Sequence, residues 1–270
     1  MTGDGGRARE GARMNVRRAL IAMLAAAATA GAAPAGGSTS EPLALGTHVR
    51  SSFLTSGHRE VQVEAAIFPR DRVTIGIVDY PLGGPVGEMV SRAFSPDVVA
   101  AVTGGYSGAR FPDGLLELNG AVREPAHARA GLSGVVGSST DQTPVIVPAA
   151  SISTASLKDA IQAGPFIVDP GGEFGIRSDD HQHARRAIVF LAGDSIGVAL
   201  TSSCTLYELA EGLTRTPAAF GVERIERALN LSGGPTAGMA VRLPNGRVQG
   251  DPERARVRTV LTIRRRTADS

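Results

Sequence analysis

Cysteine and lysine occur once each in the 270 residues, as Cys204 and Lys158. A single cysteine excludes an internal disulfide, so the fold must rest on packing and hydrogen bonds. Cys204 follows an apolar run and precedes a helix start, which reads as a buried thiol. A nucleophile would need a partnering base, and the flanking sequence supplies none. With one lysine, the positive charge is almost all arginine, a compositional bias rather than a basic face. Long apolar runs are missing after the N-terminus, so the body of the chain has no candidate membrane span. Three motifs are also absent. No Gly-rich loop carries the Gly-Lys-Ser/Thr of a phosphate-binding loop. There is no G-x-S-x-G elbow, and no Ser-His-Asp set assembles from spacing.

The N-terminal stretch "MNVRRALIAMLAAAATAGAAPAGG" pairs two arginines with an apolar run from Ala19 to Ala30, then small residues. That is the form of a secretory signal peptide, too short for a comfortable span of about 20 residues. An uncleaved anchor is the competing reading. Met14 looks like the natural start, and 1–33 the signal. Residues 34–45 have a linker composition, which leaves one domain at 46–267. The formal charge of +2 is then misleading, because 1–33 carries five arginines against two acids and the remainder is near −1. The expected protein is exported, periplasmic or extracellular, with no stable membrane span after signal cleavage. The C-terminal "RVRTVLTIRRR" alternates arginine with apolar residues, which favours a strand with one solvated face over a nucleic-acid patch.

Strand patterns dominate the rest. "EVQVEAAIF" (60–68) and "RVTIGIVDY" (72–80) flank Pro69-Arg70-Asp71, which reads as a hairpin turn. "DVVAAVTGGYS" (97–107) is a buried strand ending in paired glycines. Further strands are expected at 113–122, 165–172, 185–203, 238–248 and 255–265. Helical spacing appears at 86–94, at 153–164 and most clearly at 205–213, where Thr205 and Glu208 form a capping box. Strands and helices do not alternate regularly. The expected class is α+β: a mostly antiparallel or mixed sheet with a few packed helices in a single domain.

Chemistry could gather in three stretches. "TGGYSGARFPDGLLELNG" (103–120) ends a buried strand in Gly104-Gly105, where backbone N–H groups can face a ligand oxygen. In 163–190, Arg185 and Arg186 open a strand, and one of them must point inward. An inward arginine needs a carboxylate or an anion, and phosphate suits its fork. The "DDHQH" before them offers His181 and His183 with Asp179 and Asp180, but no third or fourth metal ligand has recognisable spacing, so an exposed polar loop is the plainer reading. In "ERALNLSGGPTAGM" (226–239), an apolar run stops at Ser232 and turns at Gly233-Gly234.

Six segments in order, "TGGYS", "PDGLLELNG", "AGPFIVDPGG", "ARRAIVF", "TLYELAEGL" and "LNLSGGPTAGM", resemble the phosphodiester glycosidase family over about residues 60 to 245. Members of that family include a lysosomal uncovering enzyme and exported bacterial proteins linked to exopolysaccharide. The resemblance implies hydrolysis of the bond between an anomeric carbon and a phosphodiester oxygen. It puts Arg186 on the phosphate and Gly104, Gly105, Gly233, Gly234 and Thr236 along the sugar pocket. It implies a carbohydrate or glycosyl-phosphate ligand, no cofactor, no metal and no nucleic acid.

The departures from the family pattern are specific. Its Asn before the first Gly-Gly is Thr103, its aromatic pair is Tyr106-Ser107, and its Asp before the second Gly-Gly is Ser232. The proline ahead of the arginine is Ala184. Glycosidic cleavage needs negative charge near a developing oxocarbenium ion, and a neutral serine cannot supply it. Losing such a group costs about 10² to 10⁴ in rate. Glu117, Asp113 or Asp180 would have to compensate. Two readings stay open: an enzyme using Thr103, Ser232, Glu117 and Asp113, or a catalytically inactive envelope binding or scaffolding protein of the same fold. A metal-dependent hydrolase using His181 and His183 is a distant third.

Overall fold

The computed structural model describes residues 37–82, 84–105, 113–129, 131–178 and 181–267. The N-terminal stretch expected to be a signal, Tyr106-Ser107, Asp179 and Asp180 lie outside the described residues.

Three antiparallel sheets make the fold. The first has eight strands in the order β1 (Thr39–Pro42), β2 (Thr47–Leu54), β3 (Glu60–Pro69), β14 (Ser195–Cys204), β13 (Ala184–Ala192), β15 (Arg227–Gly233), β11 (Phe166–Asp169) and β12 (Glu173–Phe174). The second orders β7 (Ala121–Glu124), β6 (Leu116–Leu118), β10 (Leu157–Ala163), β8 (Gly134–Ser139) and β9 (Pro144–Pro148). The third orders β17 (Val248–Asp251), β16 (Met239–Arg242), β5 (Val98–Thr103), β18 (Thr259–Arg265) and β4 (Val73–Asp79).

The main core forms where the sheets meet. Phe68 and Val189 from the first sheet join Ile161 and Leu116 from the second and Val102 and Leu261 from the third. The other face of the first sheet is closed by α2 (Leu206–Arg215), with Phe53, Ile188, Phe190, Leu209 and Phe220 packed together. Each such buried side chain contributes roughly 1.5–3 kcal/mol. The single turn α1 (Met89–Arg92) covers the outer face of the third sheet.

The α+β expectation with packed helices is therefore corrected: the described residues hold eighteen strands and two α-helices, and the protein is mostly β. The antiparallel pairing and the α2 capping box do match, with Thr205 Oγ1 accepting from Glu208 N and Glu208 Oε2 from Thr205 N. The helix expected at 153–164 is instead a 3-10 turn at Thr154–Ser156 followed by β10. Its apolar spacing fits either element, and pairing with β6 and β8 on both sides decides for the strand. Pro69-Arg70-Asp71 turns but joins no hairpin, because β3 pairs with β2 and β14 while β4 pairs with β18 in another sheet. β18 is buried from Thr259 to Ile263, because Leu261 and Ile263 pack into the main core and Val260 into the cluster under α1, so the expected solvated face is absent there. Thr39–Pro42, inside the stretch of linker composition, pairs with β2. Among the described residues, no helix is long and apolar enough to cross a membrane.

Candidate active site

The two glycine pairs lie at the ends of strands from different sheets. β5 runs out at Thr103 into Gly104-Gly105, and β15 runs through Ser232 to Gly233 and turns at Gly234. A side chain at Gly104 would stand 3.0 Å from Ile161 Cδ1 and 3.8 Å from Leu231 Cβ, so the first turn abuts the residue before Ser232. Gly105 has a φ of +78°, which favours glycine.

Thr103 and Ser232, the polar residues expected at the site from the sequence resemblance, are both engaged by the protein itself. Thr103 is buried, its N–H donates to Gly238 O at 2.9 Å, and its Oγ1 accepts from Gly238 N at 3.0 Å. Ser232 Oγ lies 2.8 Å from Thr236 Oγ1, and Thr236 Oγ1 donates to Gly233 O at 2.8 Å. Each hydroxyl has one proton, so Ser232 donates to Thr236 in this chain of bonds. A 3-10 turn at Gly234–Thr236 brings the threonine back over the serine.

The neighbouring arginines take opposite sides of β13. Arg186 pairs in register with Gly233 and faces the α2 side. It is 8% exposed, with Nε donating to Cys204 O at 3.3 Å and Nη2 to Gln182 O at 2.7 Å. Among the described residues no carboxylate lies within ion-pairing distance of it. Ser232 pairs instead with Ala187, whose side chain joins the main core, so Ser232 and Arg186 are on different faces. Arg185, directly after Ala184, is on the side of Ser232. Its Nη2 meets Asp251 Oδ2 at 2.9 Å, and its Nη1 is buried with no partner. Burial lowers its pKa, and Asp251 opposes the shift.

A cavity of about 650 Å³ opens beside Arg185, bounded by Arg50, Gln62, Glu64, Ser202, Asp251 and Arg254. Neither glycine pair lines it, but Arg254, which does, donates its backbone N–H to Pro235 O of the second turn at 2.6 Å. Sequence reasoning required one inward arginine. Choosing between two adjacent ones needed the register. Asp251 and Arg254 carried no motif and were missed.

The remaining candidates are dispersed. Asp113 Oδ2 faces Arg129 Nη1 at 3.5 Å. Glu117 pairs with Ala160, whereas Ile161, which touches Gly104, pairs with Leu116, so Glu117 points from the opposite face of its sheet. It is buried, its Oε2 has no partner, and burial first and Asp159 second raise its pKa. His183 Nε2 lies 3.3 Å from Glu208 Oε2 at the start of α2. Among the described residues no three His, Cys, Asp or Glu gather as a metal site. Burial pushes the Cys204 thiol up to about 11, which leaves almost no thiolate at neutral pH.

Three antiparallel sheets bring the two paired-glycine turns together, and a cavity lined by Arg185 and Arg254 is tied to the second turn by the Arg254 backbone. The chain belongs to the phosphodiester glycosidase family, whose model matches residues 96–264. Solved structures share the fold. The catalytic domain of zebrafish N-acetylglucosamine-1-phosphodiester alpha-N-acetylglucosaminidase, auto-inhibited by its pro-peptide, superposes with a TM-score of 0.58 at 16% identity, over 87% of this chain and 85% of that one. A hypothetical protein from Synechocystis gives 0.56 at 13%, over 87% and 64%. A Burkholderia pseudomallei protein described as exported gives 0.51 at 11%, over 76% and 74%. No curated protein matches the chain. At these identities the structural likeness speaks for the fold alone.

Proposed function

We propose that this is an exported phosphodiester glycosidase-type protein that takes a glycosyl-phosphate or related glycoconjugate at the meeting of its two glycine turns. The carrying observation is the packing of Gly104 against Leu231, which brings the two glycine turns together, in a chain of this family. Arg185, rather than Arg186, is the arginine we place on the phosphate. Arg186 is occupied by two backbone carbonyls, whereas Arg185 lines the cavity and keeps an unpaired Nη1. Backbone N–H groups at Gly105 and Gly234 would hold the sugar oxygens, because Gly104 N–H already donates to Thr259 O at 3.2 Å and Pro235 has none.

Cleavage would break the bond from the anomeric carbon to the phosphodiester oxygen, with water as the final acceptor of the glycosyl group. Positive charge develops on the sugar, and a carboxylate beside it would stabilise that charge. Ser232 offers a neutral oxygen whose proton is already donated to Thr236. Thr103 is tied to Gly238. These two contacts favour a second reading, a protein that binds such ligands without turning them over. Calorimetric titration with an N-acetylglucosamine phosphodiester tests both. Saturable binding, weakened at least about tenfold by Arg185→Ala, is expected. No binding to native protein would contradict the proposal.

A further inference from the structure

The cavity beside Arg185 is larger than one phosphate needs. At about 650 Å³ it sits in the middle of the range for small-molecule sites. Its floor is the part of the first sheet that the main core leaves open, on the side away from α2. There Arg50 pairs in register with Glu64, and Ser52 with Gln62.

The charges in its wall are matched. Arg50 Nη2 lies 3.5 Å from Glu64 Oε1, Arg185 Nη2 lies 2.9 Å from Asp251 Oδ2, and Arg254 Nη2 lies 3.7 Å from Asp251 Oδ1. Glu60 Oε1 accepts from Ser52 Oγ at 2.6 Å. A second anion entering here would meet Glu60, Glu64 and Asp251. A cation would meet the three arginines. A hydroxyl-rich neutral group meets neither penalty, because each hydroxyl both donates and accepts. Guanidinium, carboxylate and amide groups are planar and offer paired donors or paired acceptors, which suits vicinal hydroxyls. Among the described residues no aromatic side chain lines the cavity, so recognition would come from hydrogen bonds rather than ring stacking.

We infer that this cavity is a subsite for one or two uncharged sugar units of a glycan chain, which extend from the glycine turns into it. The inference rests on the proposed function for its starting point. It adds that the preferred ligand is an oligosaccharide, not a lone sugar phosphate. Continuity comes from Arg254, which bonds Pro235 O through its backbone and lines the cavity with its side chain.

The test is calorimetric titration of the full chain with glucose, with neutral trisaccharides (maltotriose, cellotriose, triacetylchitotriose) and with trigalacturonate. At least one neutral trisaccharide is expected to bind about tenfold or more tightly than glucose and than trigalacturonate. Gln62→Ala and Ser203→Leu, both in the cavity lining, one removing an amide and one filling space, should each weaken that trisaccharide about fivefold or more and weaken the phosphodiester by less. Tighter binding of trigalacturonate, no trisaccharide binding at about 10 mM, or affinities unmoved by both variants would overturn the inference. Trisaccharide binding without phosphodiester binding would contradict the proposed function and leave the subsite standing.

Discussion

Arg185 and Arg186 are consecutive in β13, yet one meets Asp251 at 2.9 Å in the cavity wall and the other donates to Cys204 O and Gln182 O beneath α2. Strand alternation requires this division, and it assigns the two residues different work. Arg186→Ala should cost about 1–3 kcal/mol in urea unfolding, because two carbonyls lose a charged donor. Arg185→Ala should change stability by under about 1 kcal/mol, since Asp251 remains half exposed, and should weaken phosphodiester binding. Calorimetry and unfolding of both variants separate the two roles.

Glu117 should oppose folding at neutral pH. Its folded pKa is raised, so the buried carboxyl prefers its proton, and stability falls as pH rises from its unfolded value through its folded one. Glu117→Gln should therefore stabilise the protein by about 1 kcal/mol at pH 7, with the gain vanishing in acid. Unfolding midpoints measured across pH check the sign.

Glu64 should act in the other direction. Burial raises its pKa, but the hydrogen bond and charge of His48, with Arg50, outweigh that and hold it below the ordinary value. His48 is itself buried, 2.8 Å from Glu64 Oε1 and 2.9 Å from Glu41 Oε1 of β1. Glu64's contribution is present above its unfolded pKa and is lost as pH falls through the folded one. Glu64→Gln should cost about 1–2 kcal/mol at pH 7 and nothing once the native residue is protonated. Because β1 is held through Glu41, hydrogen exchange in Thr39–Pro42 should quicken in the same variant.

Gly212 lies in α2, where alanine ordinarily gains about 1 kcal/mol over glycine. A Cβ here would come within 2.4–2.6 Å of the Phe53 ring, which is itself buried. Gly212→Ala should be destabilising by about 1–3 kcal/mol, a sign opposite to helix propensity, as read from thermal unfolding.

How much was legible follows from where the information sits. Thr205 and Glu208 announced α2, because capping is local. The strands around Val98–Thr103 and Ala184–Cys204 were equally plain, being apolar runs stopped by turn residues. Leu157–Ala163 misled, since its spacing suits a helix until partners on both sides are known. The glycine turns could be found, but not that Ser232 pairs with Ala187 and Arg186 with Gly233. That division depends on a register shift between Ala187 and Ile188, which no local pattern encodes. The cavity was invisible because Arg50, Gln62, Arg185 and Asp251 lie far apart in sequence.

The central claim is that the fold keeps a sugar-phosphate crevice while Ser232 stands where a carboxylate is needed. It is tested most directly by hydrolysis of an N-acetylglucosamine phosphodiester, run side by side with native protein and Ser232→Asp. The expected result is turnover by the Asp variant at least about 10² above native, which would itself be near background. Native turnover at or above that of the variant would contradict the claim and place the catalytic charge elsewhere.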